Sequence, residues 1–402
     1  EIEKYGPYAF FASVGGGGSY SFIQAQQMPA ALGSPTVFEP GCAQCYLPRE
    51  AMSKFMYGGN SQSIADCGTI EPFNWDDHKM EVLVLWGAQP SVSQTSQSGR
   101  GMADLRALGC KTVVIDPNFS PDAVHADVWL PVRPGTDTAL LLSWFRYIFQ
   151  NDLYDHEFTK YWTNLPFLID PDTKLPVLAK DLFPDFKQTT PANTPAYVCY
   201  DLKTNSVQPF EYSLPENSTV DPEVFWEGEY EGKTYQTAGQ IYWDETDPWT
   251  FEKAAEVTWV EADKIKEGVD LYLSSQYAGI CNGVASDMTE SASQVPLGCL
   301  GLDMIMGHVD KPGCTLTQQK GGGPMGASAS GVRPTRAYSP MKVGDTEVSL
   351  GATVGASEEE NAAKFADFTD EQLQEAFQPY LDRLGMVEHK GLFFWNHSHI
   401  PT

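Results

Sequence analysis

Cys42 and Cys45 are the one closely spaced pair among the eight cysteines of this 402-residue chain. Such a Cys-x-x-Cys pair occurs in half of a zinc site, in a redox dithiol, as two core thiols, or on a turn that presents a soft thiolate to a metal. No second pair lies at zinc-site or iron–sulfur spacing, so we expect neither a zinc centre nor a complete cluster here. The spacing alone favours two buried thiols and leaves a metal thiolate open.

Four consecutive glycines at 15–18, followed by Ser19, allow the backbone to approach a ligand closely. The loop does not complete the Gly-x-Gly-x-x-Gly fingerprint, because Tyr20 fills the last glycine position when counting begins at Gly15. No Gly-Lys-Ser/Thr follows, as a nucleoside triphosphate loop would require. A conventional nicotinamide dehydrogenase therefore lacks its fingerprint, and the loop is either a ligand-binding turn or a flexible one.

Three turns that follow apolar runs carry small and polar residues. They contain Trp86, Gly87, Ala88, Gln89 and Pro90, then Ile115, Asp116 and Pro117, and finally Gly135, Thr136 and Asp137. The apolar runs at 82–86, 111–115 and 128–132 are typical of parallel strands covered on both faces. Helical patterns alternate with them, which predicts right-handed crossovers and a doubly wound, mostly parallel sheet of the dinucleotide-binding kind. Ligands bind such sheets at the carboxyl ends of the strands, so the three turns should converge on one crevice.

The chain divides into three stretches. Residues 81–270 are predicted to form the dinucleotide-binding-like α/β domain, with a loop-rich insertion at 165–240 that is rich in Pro, Asp, Thr and Tyr. Residues 1–80 and 271–402 are predicted to form a second α/β domain. Shorter expected elements are strands at 8–14, 35–38 and 271–275, and helices at 49–57, 249–273 and 297–308.

The charge balance limits the partners of this chain. It has 26 Lys and Arg against 53 Asp and Glu, a formal net charge of −27. Such a surface repels phosphate backbones and anionic lipids, so nucleic acid is not an expected partner. A small anionic cofactor is compatible, because helix N-termini and glycine loops supply local positive potential. No run approaches the roughly 20 apolar residues of a transmembrane helix, so direct membrane insertion is not expected.

Four linked segments resemble, in order and spacing, the dinucleotide-binding domain of the dimethyl sulfoxide reductase family of molybdenum and tungsten oxidoreductases. They are Val-Leu-Trp-Gly-Ala-Gln-Pro at 84–90, Val-Ile-Asp-Pro at 114–117, Ala-Asp-Val-Trp-Leu-Pro at 126–131 and Arg-Pro-Gly-Thr-Asp-Thr-Ala-Leu at 133–140. The strings at 283–287 and 306–313 are similar to a later signature of the family. Within it, the acetylene hydratase, pyrogallol transhydroxylase and catechol dehydroxylase group is most similar.

The resemblance implies a cofactor of two molybdopterin guanine dinucleotides around one Mo or W. The strand-end turns would grip one guanosine diphosphate arm. Small residues admit the pyrophosphate, and Asp116 or Asp137 would accept hydrogen bonds from ribose or guanine. The resemblance implies further that Gly18, Ser19, Asn282 and Asp287 lie near the pterins. It also implies that Cys45 is the catalytic metal ligand, with Cys42 as the competitor, since the stretch from 45 to 58 matches the family's ligand, helix and glycine.

The resemblance also bears on the rest of the enzyme. It implies a fragment of a larger multi-domain enzyme whose 4Fe-4S cluster lies in an N-terminal domain outside this chain, and such a fragment is expected to hold little metal and to be inactive alone. The implied function is two-electron redox, oxygen-atom transfer or dehydroxylation of a small-molecule substrate, with an iron–sulfur electron-transfer subunit as a partner. The localisation of the protein is left open. It is either the bacterial cytoplasm or an exported location reached by a twin-arginine signal that this chain does not carry. The alternative is a non-catalytic, acidic α/β nucleotide-binding module or subunit scaffold.

Overall fold

The computed structural model describes residues 2–6, 9–13, 31–32, 37–38, 48–49, 52–53, 56, 80–93, 98–190, 194–309, 313–315, 341–343, 346–348, 367–369, 371–372 and 375. The chain forms two compact units, one from 1–47 and 319–402 and the other from 48–318.

The strands are β1 (Ala12–Ser13), β2 (Val37–Phe38), β3 (Val82–Trp86), β4 (Lys111–Ile115), β5 (Val128–Leu130), β6 (Leu168–Ile169), β7 (Tyr197–Asp201), β8 (Ser206–Phe210), β9 (Glu227–Tyr230), β10 (Lys233–Thr237), β11 (Ala278–Asn282), β12 (Met341–Val343) and β13 (Thr346–Val348). The helices are α1 (Ile2–Tyr5), α2 (Pro90–Ser93), α3 (Ser98–Ala107), α4 (Pro121–Val124), α5 (Asp137–Gln150), α6 (His156–Trp162), α7 (Ala179–Leu182), α8 (Ala238–Thr246), α9 (Phe251–Thr258), α10 (Ala262–Leu273), α11 (Val284–Asp287) and α12 (Gln294–Ile305). A 3-10 turn spans Pro215–Asn217.

A four-stranded sheet, in the order β11-β3-β4-β5, forms the centre of the larger unit, and all its pairs are parallel. Every residue of β3 is buried, as its continuous apolar sequence predicts for a strand covered on both faces. On one face, Trp86 and Leu130 pack with Trp144 of α5 and Tyr272 of α10. On the other face, Leu85 packs with side chains of α3. The prediction of a doubly wound α/β fold with a parallel sheet is confirmed.

The connections of this sheet define a switch point. The chain passes from β3 to β4 and then to β5, moving outward, and later returns to place β11 on the opposite side of β3. The strand order therefore reverses between β3 and β11, and ligands of open α/β sheets bind outside the carboxyl ends at such a point. β11 follows residue 270 in the sequence but belongs to this sheet. The predicted domain limits 1–80, 81–270 and 271–402 stay a prediction.

One prediction about a shorter element is wrong. A strand was expected at 271–275, but residues 271–273 end α10, and the strand begins at Ala278. The reason is spacing, since Ile265, Val269 and Tyr272 are buried at helical intervals. The segment at 165–240, predicted to be loop-rich, also contains the three-stranded sheet β6-β10-β9 and the hairpin β7–β8, both antiparallel. Its strands have only two to five residues, too few for a clear alternation in the sequence.

The smaller unit is described at fewer positions. Within it β1 pairs with β2 in parallel, and β12 pairs with β13 in an antiparallel hairpin. In the larger unit, the described residues 48, 49, 52, 53 and 56 are helical, as predicted for 49–57. Among the described helices, none has both the length and the apolar composition to cross a membrane.

Candidate cofactor site

The carboxyl ends of the four central strands lie at one edge of the sheet. Trp86 at the end of β3 is paired with Ile115 of β4 and with Asn282 of β11, and Ile115 is paired with Leu130 of β5. Since all four strands are parallel and in this register, the turns that follow them begin side by side. The structure thus brings the three predicted turns together, and adds a fourth that starts at Gly283.

The turns after β3 and β11 pack directly against each other at the switch point. Gly87 has a φ of +61°, and its N–H donates to the carbonyl of Ile115 at 2.9 Å. The N–H of Gly283 donates to the carbonyl of Trp86 at 2.7 Å. A Cβ at position 283 would lie 2.1 Å from the carbonyl oxygen of Gly87, which no side chain could occupy. Glycine at 283 is therefore required for these two turns to meet.

Asp116 connects the turns after β3 and β4. Its Oδ2 accepts a hydrogen bond from Gln89 Nε2 at 2.9 Å, and its Oδ1 accepts one from the N–H of Asn118 at 2.7 Å. The indole of Trp129 donates to its backbone carbonyl at 2.9 Å. An ionised carboxylate has about four acceptor positions, so this fixed side chain retains capacity for donors of a ligand. Ala88 and Pro90 beside Gln89 are buried, whereas Pro117 is exposed.

Asp137 holds the end of β3 against the start of α5. The indole Nε1 of Trp86 donates to Asp137 Oδ1 at 2.8 Å, and both side chains are buried. Burial raises the pKa of Asp137, although the hydrogen bond from Trp86 opposes that shift. Thr136 precedes it as the residue before the helix, and Gly135 has a φ of +81°. The carboxyl of Asp137 is thus already used within the fold.

Asn282 places a hydrogen-bond acceptor at this edge. The side chain is fully buried, and its Nδ2 donates to Ser286 Oγ at 2.8 Å. Its Oδ1 has no hydrogen-bond partner among the described residues. A buried acceptor left without a donor costs roughly 1–3 kcal/mol. A donor from a bound ligand would remove that cost, which fits the expectation that Asn282 lies near a cofactor.

Arg49 is a site residue that the sequence analysis missed. Its Nε lies 2.6 Å from Asp287 Oδ2, and its Nη1 donates to the carbonyl of Asn282 at 2.8 Å. Both charged side chains are buried, at 5% and 0% exposure. Asp287 was expected to lie near a pterin, and the structure gives it an ion pair across 238 positions of sequence. The only signal in the sequence is a lone arginine in the predicted helix at 49–57.

The remaining predicted site residues, Gly18, Ser19 and Cys45, lie outside the described residues, as does Cys42. The cysteines that the structure describes, at 110, 199, 281, 299 and 314, are buried. Burial raises the pKa of the Cys110 thiol to about 12 and also raises the pKa values of Cys199 and Cys299. Such protonated thiols are poor metal ligands. Within the described ranges, no group of three or more His, Cys, Asp or Glu side chains could hold a metal ion.

The fold and this edge define a class of protein, a doubly wound α/β protein with a parallel sheet of the type that binds ligands outside the carboxyl ends of its strands. A family model described as molybdopterin oxidoreductase matches residues 1–364, and the chain belongs to this family. Membership confirms the resemblance to the dimethyl sulfoxide reductase family and implies a molybdenum or tungsten pterin cofactor.

Two relatives and one solved structure illustrate the similarity. The dopamine dehydroxylase of Eggerthella lenta is 37% identical over 92 residues, which cover 23% of this chain and 9% of that protein. The perchlorate reductase subunit alpha of Dechloromonas aromatica is 35% identical over 106 residues, 26% of this chain and 11% of that protein. The structure of acetylene hydratase from Pelobacter acetylenicus has a TM-score of 0.45 and 19% identity, covering 76% of this chain and 30% of its own. The matches with the two relatives thus span about a tenth of their lengths.

Proposed function

We propose that this chain is part of the catalytic subunit of a molybdenum or tungsten oxidoreductase and holds a bis(molybdopterin guanine dinucleotide) cofactor. The proposal rests on one observation. In a chain that belongs to the molybdopterin oxidoreductase family, four parallel strands end at one edge of the central sheet. The reaction would be two-electron redox, oxygen-atom transfer or dehydroxylation of a small-molecule substrate.

The described residues at this edge fit such a group. In the proposal, the turns at Gly87 and Gly135 admit the pyrophosphate of one arm, and Asp116, fixed by Gln89, accepts hydrogen bonds from ribose or guanine. The open acceptor of Asn282 receives an N–H of a pterin. By its resemblance to the family, Cys45 would supply a thiolate ligand to the metal. The cofactor when bound supplies the redox chemistry, and the protein binds and orients it.

The proposal includes parts of the enzyme outside this chain. One relative is named as a subunit alpha, and we assign a 4Fe-4S cluster and an iron–sulfur electron-transfer subunit to the larger assembly. These parts would carry electrons between the metal and a redox partner.

The cofactor form is tested on the protein isolated from its native host. We expect about one Mo or W per full-length catalytic subunit, and release of 5′-GMP when the cofactor is hydrolysed by acid. Release of another nucleotide would contradict the guanine dinucleotide form. Absence of both metal and pterin, together with binding of guanine nucleotide, would favour the alternative of a non-catalytic nucleotide-binding module.

We call the turns at Gly87 and Gly135, together with Asp116, the nucleotide cradle. This cradle is tested separately on the chain itself. Thermal unfolding is followed with GDP and with NAD at equal concentrations. A ligand that binds the folded state at about 100 times its Kd stabilises it by roughly 2.7 kcal/mol, so GDP should raise the Tm and NAD should not. Protection by NAD instead of GDP would support a nicotinamide dehydrogenase.

A further inference from the structure

Trp259 is the most exposed large hydrophobic side chain among the described residues, at 72% exposure. It follows α9, where its N–H donates to the carbonyl of Ala255 at 2.9 Å, and its φ is +64°. The other described non-glycine residues with positive φ are all polar, namely Asp152, Lys174, Asn205 and Glu231. A bulky side chain in the left-handed region is strained, and this position is one that glycine usually takes. Fold stability therefore does not explain a tryptophan here.

Arg133 fixes this tryptophan to the strand-end edge. The Cζ of Arg133 lies 4.8 Å from the centre of the Trp259 ring, a cation–π contact. The N–H of Arg133 donates to the carbonyl of Thr258 at 2.9 Å. Arg133 belongs to the turn that follows β5 and precedes Gly135 and Asp137. An exposed aromatic ring and a guanidinium are thus held beside the proposed nucleotide cradle.

The chemistry of this pair points to a nucleotide base. Aromatic side chains bind bases by stacking, and an adjacent arginine adds a cation–π contribution and attracts phosphate. In a chain of net charge −27, an anionic ligand gains from such a local cation. We propose that Trp259, positioned by Arg133, stacks on the guanine base of the dinucleotide arm. This inference rests on the proposed function and assigns a base-binding residue to the same site.

The experiment compares GDP binding by calorimetry with urea unfolding in the parent chain and in three variants. Trp259→Gly should be at least as stable as the parent, because glycine removes the backbone strain, but should bind GDP about tenfold more weakly. Trp259→Leu should lose the same affinity, and Trp259→Phe should stay within about threefold of the parent. Trp162→Leu, at an exposed tryptophan on α6, is the matched control and should bind GDP like the parent.

The outcomes separate this inference from the proposed function. If the parent binds GDP and Trp259→Gly binds it equally well, the stacking assignment is wrong while the cradle stands. If the parent does not bind GDP, both the cradle and the stacking assignment fail. If Trp259→Gly does not fold, the difference between the Phe and Leu variants decides, and equal affinities for those two would overturn the assignment.

Discussion

Asp116 is the carboxylate whose geometry best suits ligand binding. It is fixed by Gln89 and by the backbone of Asn118, yet acceptor capacity remains. We expect Asp116→Ala to lower the free energy of unfolding by roughly 1–3 kcal/mol, because two partly buried hydrogen bonds to a carboxylate are lost. The variant should also lose protection by GDP in thermal unfolding. Retention of full protection would show that this carboxylate does not contact the nucleotide.

Asp303 is a fully buried acid of α12. Its carboxyl accepts hydrogen bonds from Tyr272 at 2.8 Å, from Thr315 at 2.7 Å and from the N–H of Ile280 at 3.3 Å. His308 Nδ1 lies 3.1 Å from the Tyr272 hydroxyl, which joins it to the same network. Burial raises the pKa of Asp303 from its ordinary value of 3.8 to about 7, although these hydrogen bonds oppose the shift.

This shift predicts a pH dependence of stability. Because the folded-state pKa lies above the ordinary value, the stability that the protonated carboxyl contributes is fully present below about pH 4 and is lost as the pH rises through about 7. The stability of the parent relative to Asp303→Asn should therefore fall between about pH 4 and about pH 7 in urea unfolding. Asp270→Asn, at an exposed residue of α10, is the control. A difference that stays constant with pH would contradict the prediction.

At the scale of elements, the two turns at the switch point depend on Gly283. A Cβ there would overlap the backbone of the turn after β3, which has no flexible side chain to move aside. Gly283→Ala should lower the free energy of unfolding by roughly 1–3 kcal/mol through overpacking. Gly301→Ala is the matched control, since its Cβ would meet only the end of the Phe145 ring at 3.1 Å. Equal effects of the two substitutions in urea unfolding would show that the backbone contact is not limiting.

The ion pair of Arg49 and Asp287 connects the helical residues after the predicted thiolate turn to α11, which follows β11. Removing one partner of a buried ion pair is strongly destabilising, because the other charge stays buried and loses that partner, so Arg49→Met should cost about 3–5 kcal/mol. Arg49→Met combined with Asp287→Leu should recover part of that loss, because no charge then stays buried. The exposed pair of Lys264 and Glu267 is the control, for which single substitutions should cost below about 1 kcal/mol. Additive effects in the double variant at 49 and 287 would argue against a direct interaction.

At the scale of the whole molecule, the segment at 165–240 is an insertion whose first and last residues lie next to each other. The N–H of Gly239 donates to the carbonyl of Leu165 at 2.8 Å, and the N–H of Ala238 donates to that of Phe167 at 2.9 Å. Most of its apolar side chains form separate clusters, but Phe225 packs on Phe149 of α5 at 5.1 Å between ring centres.

We expect that the insertion can be excised with the sheet intact. Replacement of residues 168–237 by a short Gly-Ser linker should lower the Tm by roughly 5 °C, because Phe149 loses a neighbouring ring. Protection by GDP should persist, since no strand-end turn is removed. Loss of cooperative unfolding, followed by circular dichroism, would show that the insertion is part of the domain's core.

The amino-acid sequence by itself determined the strands β3 and β4 and the turns after β3, β4 and β5. Each strand is a continuous apolar run, and each turn begins within a few residues of the strand it follows, so local pattern is enough to find them. The predicted strand at 271–275 failed because Leu271 and Tyr272 suit either a strand or the buried face of a helix, and only packing on the sheet selects the helix.

Only the tertiary structure decided that β11 lies beside β3 and that Arg49 meets Asp287. It also decided that Asp137 is bound by Trp86, and that Trp259 lies next to Arg133. These contacts join residues that are between 51 and 238 positions apart, and no periodicity in one segment records which distant segment will pack on it. Such pairings form because each helix and strand must bury its apolar face against another element. Which element that is depends on the fold of the whole chain and not on any single stretch of sequence.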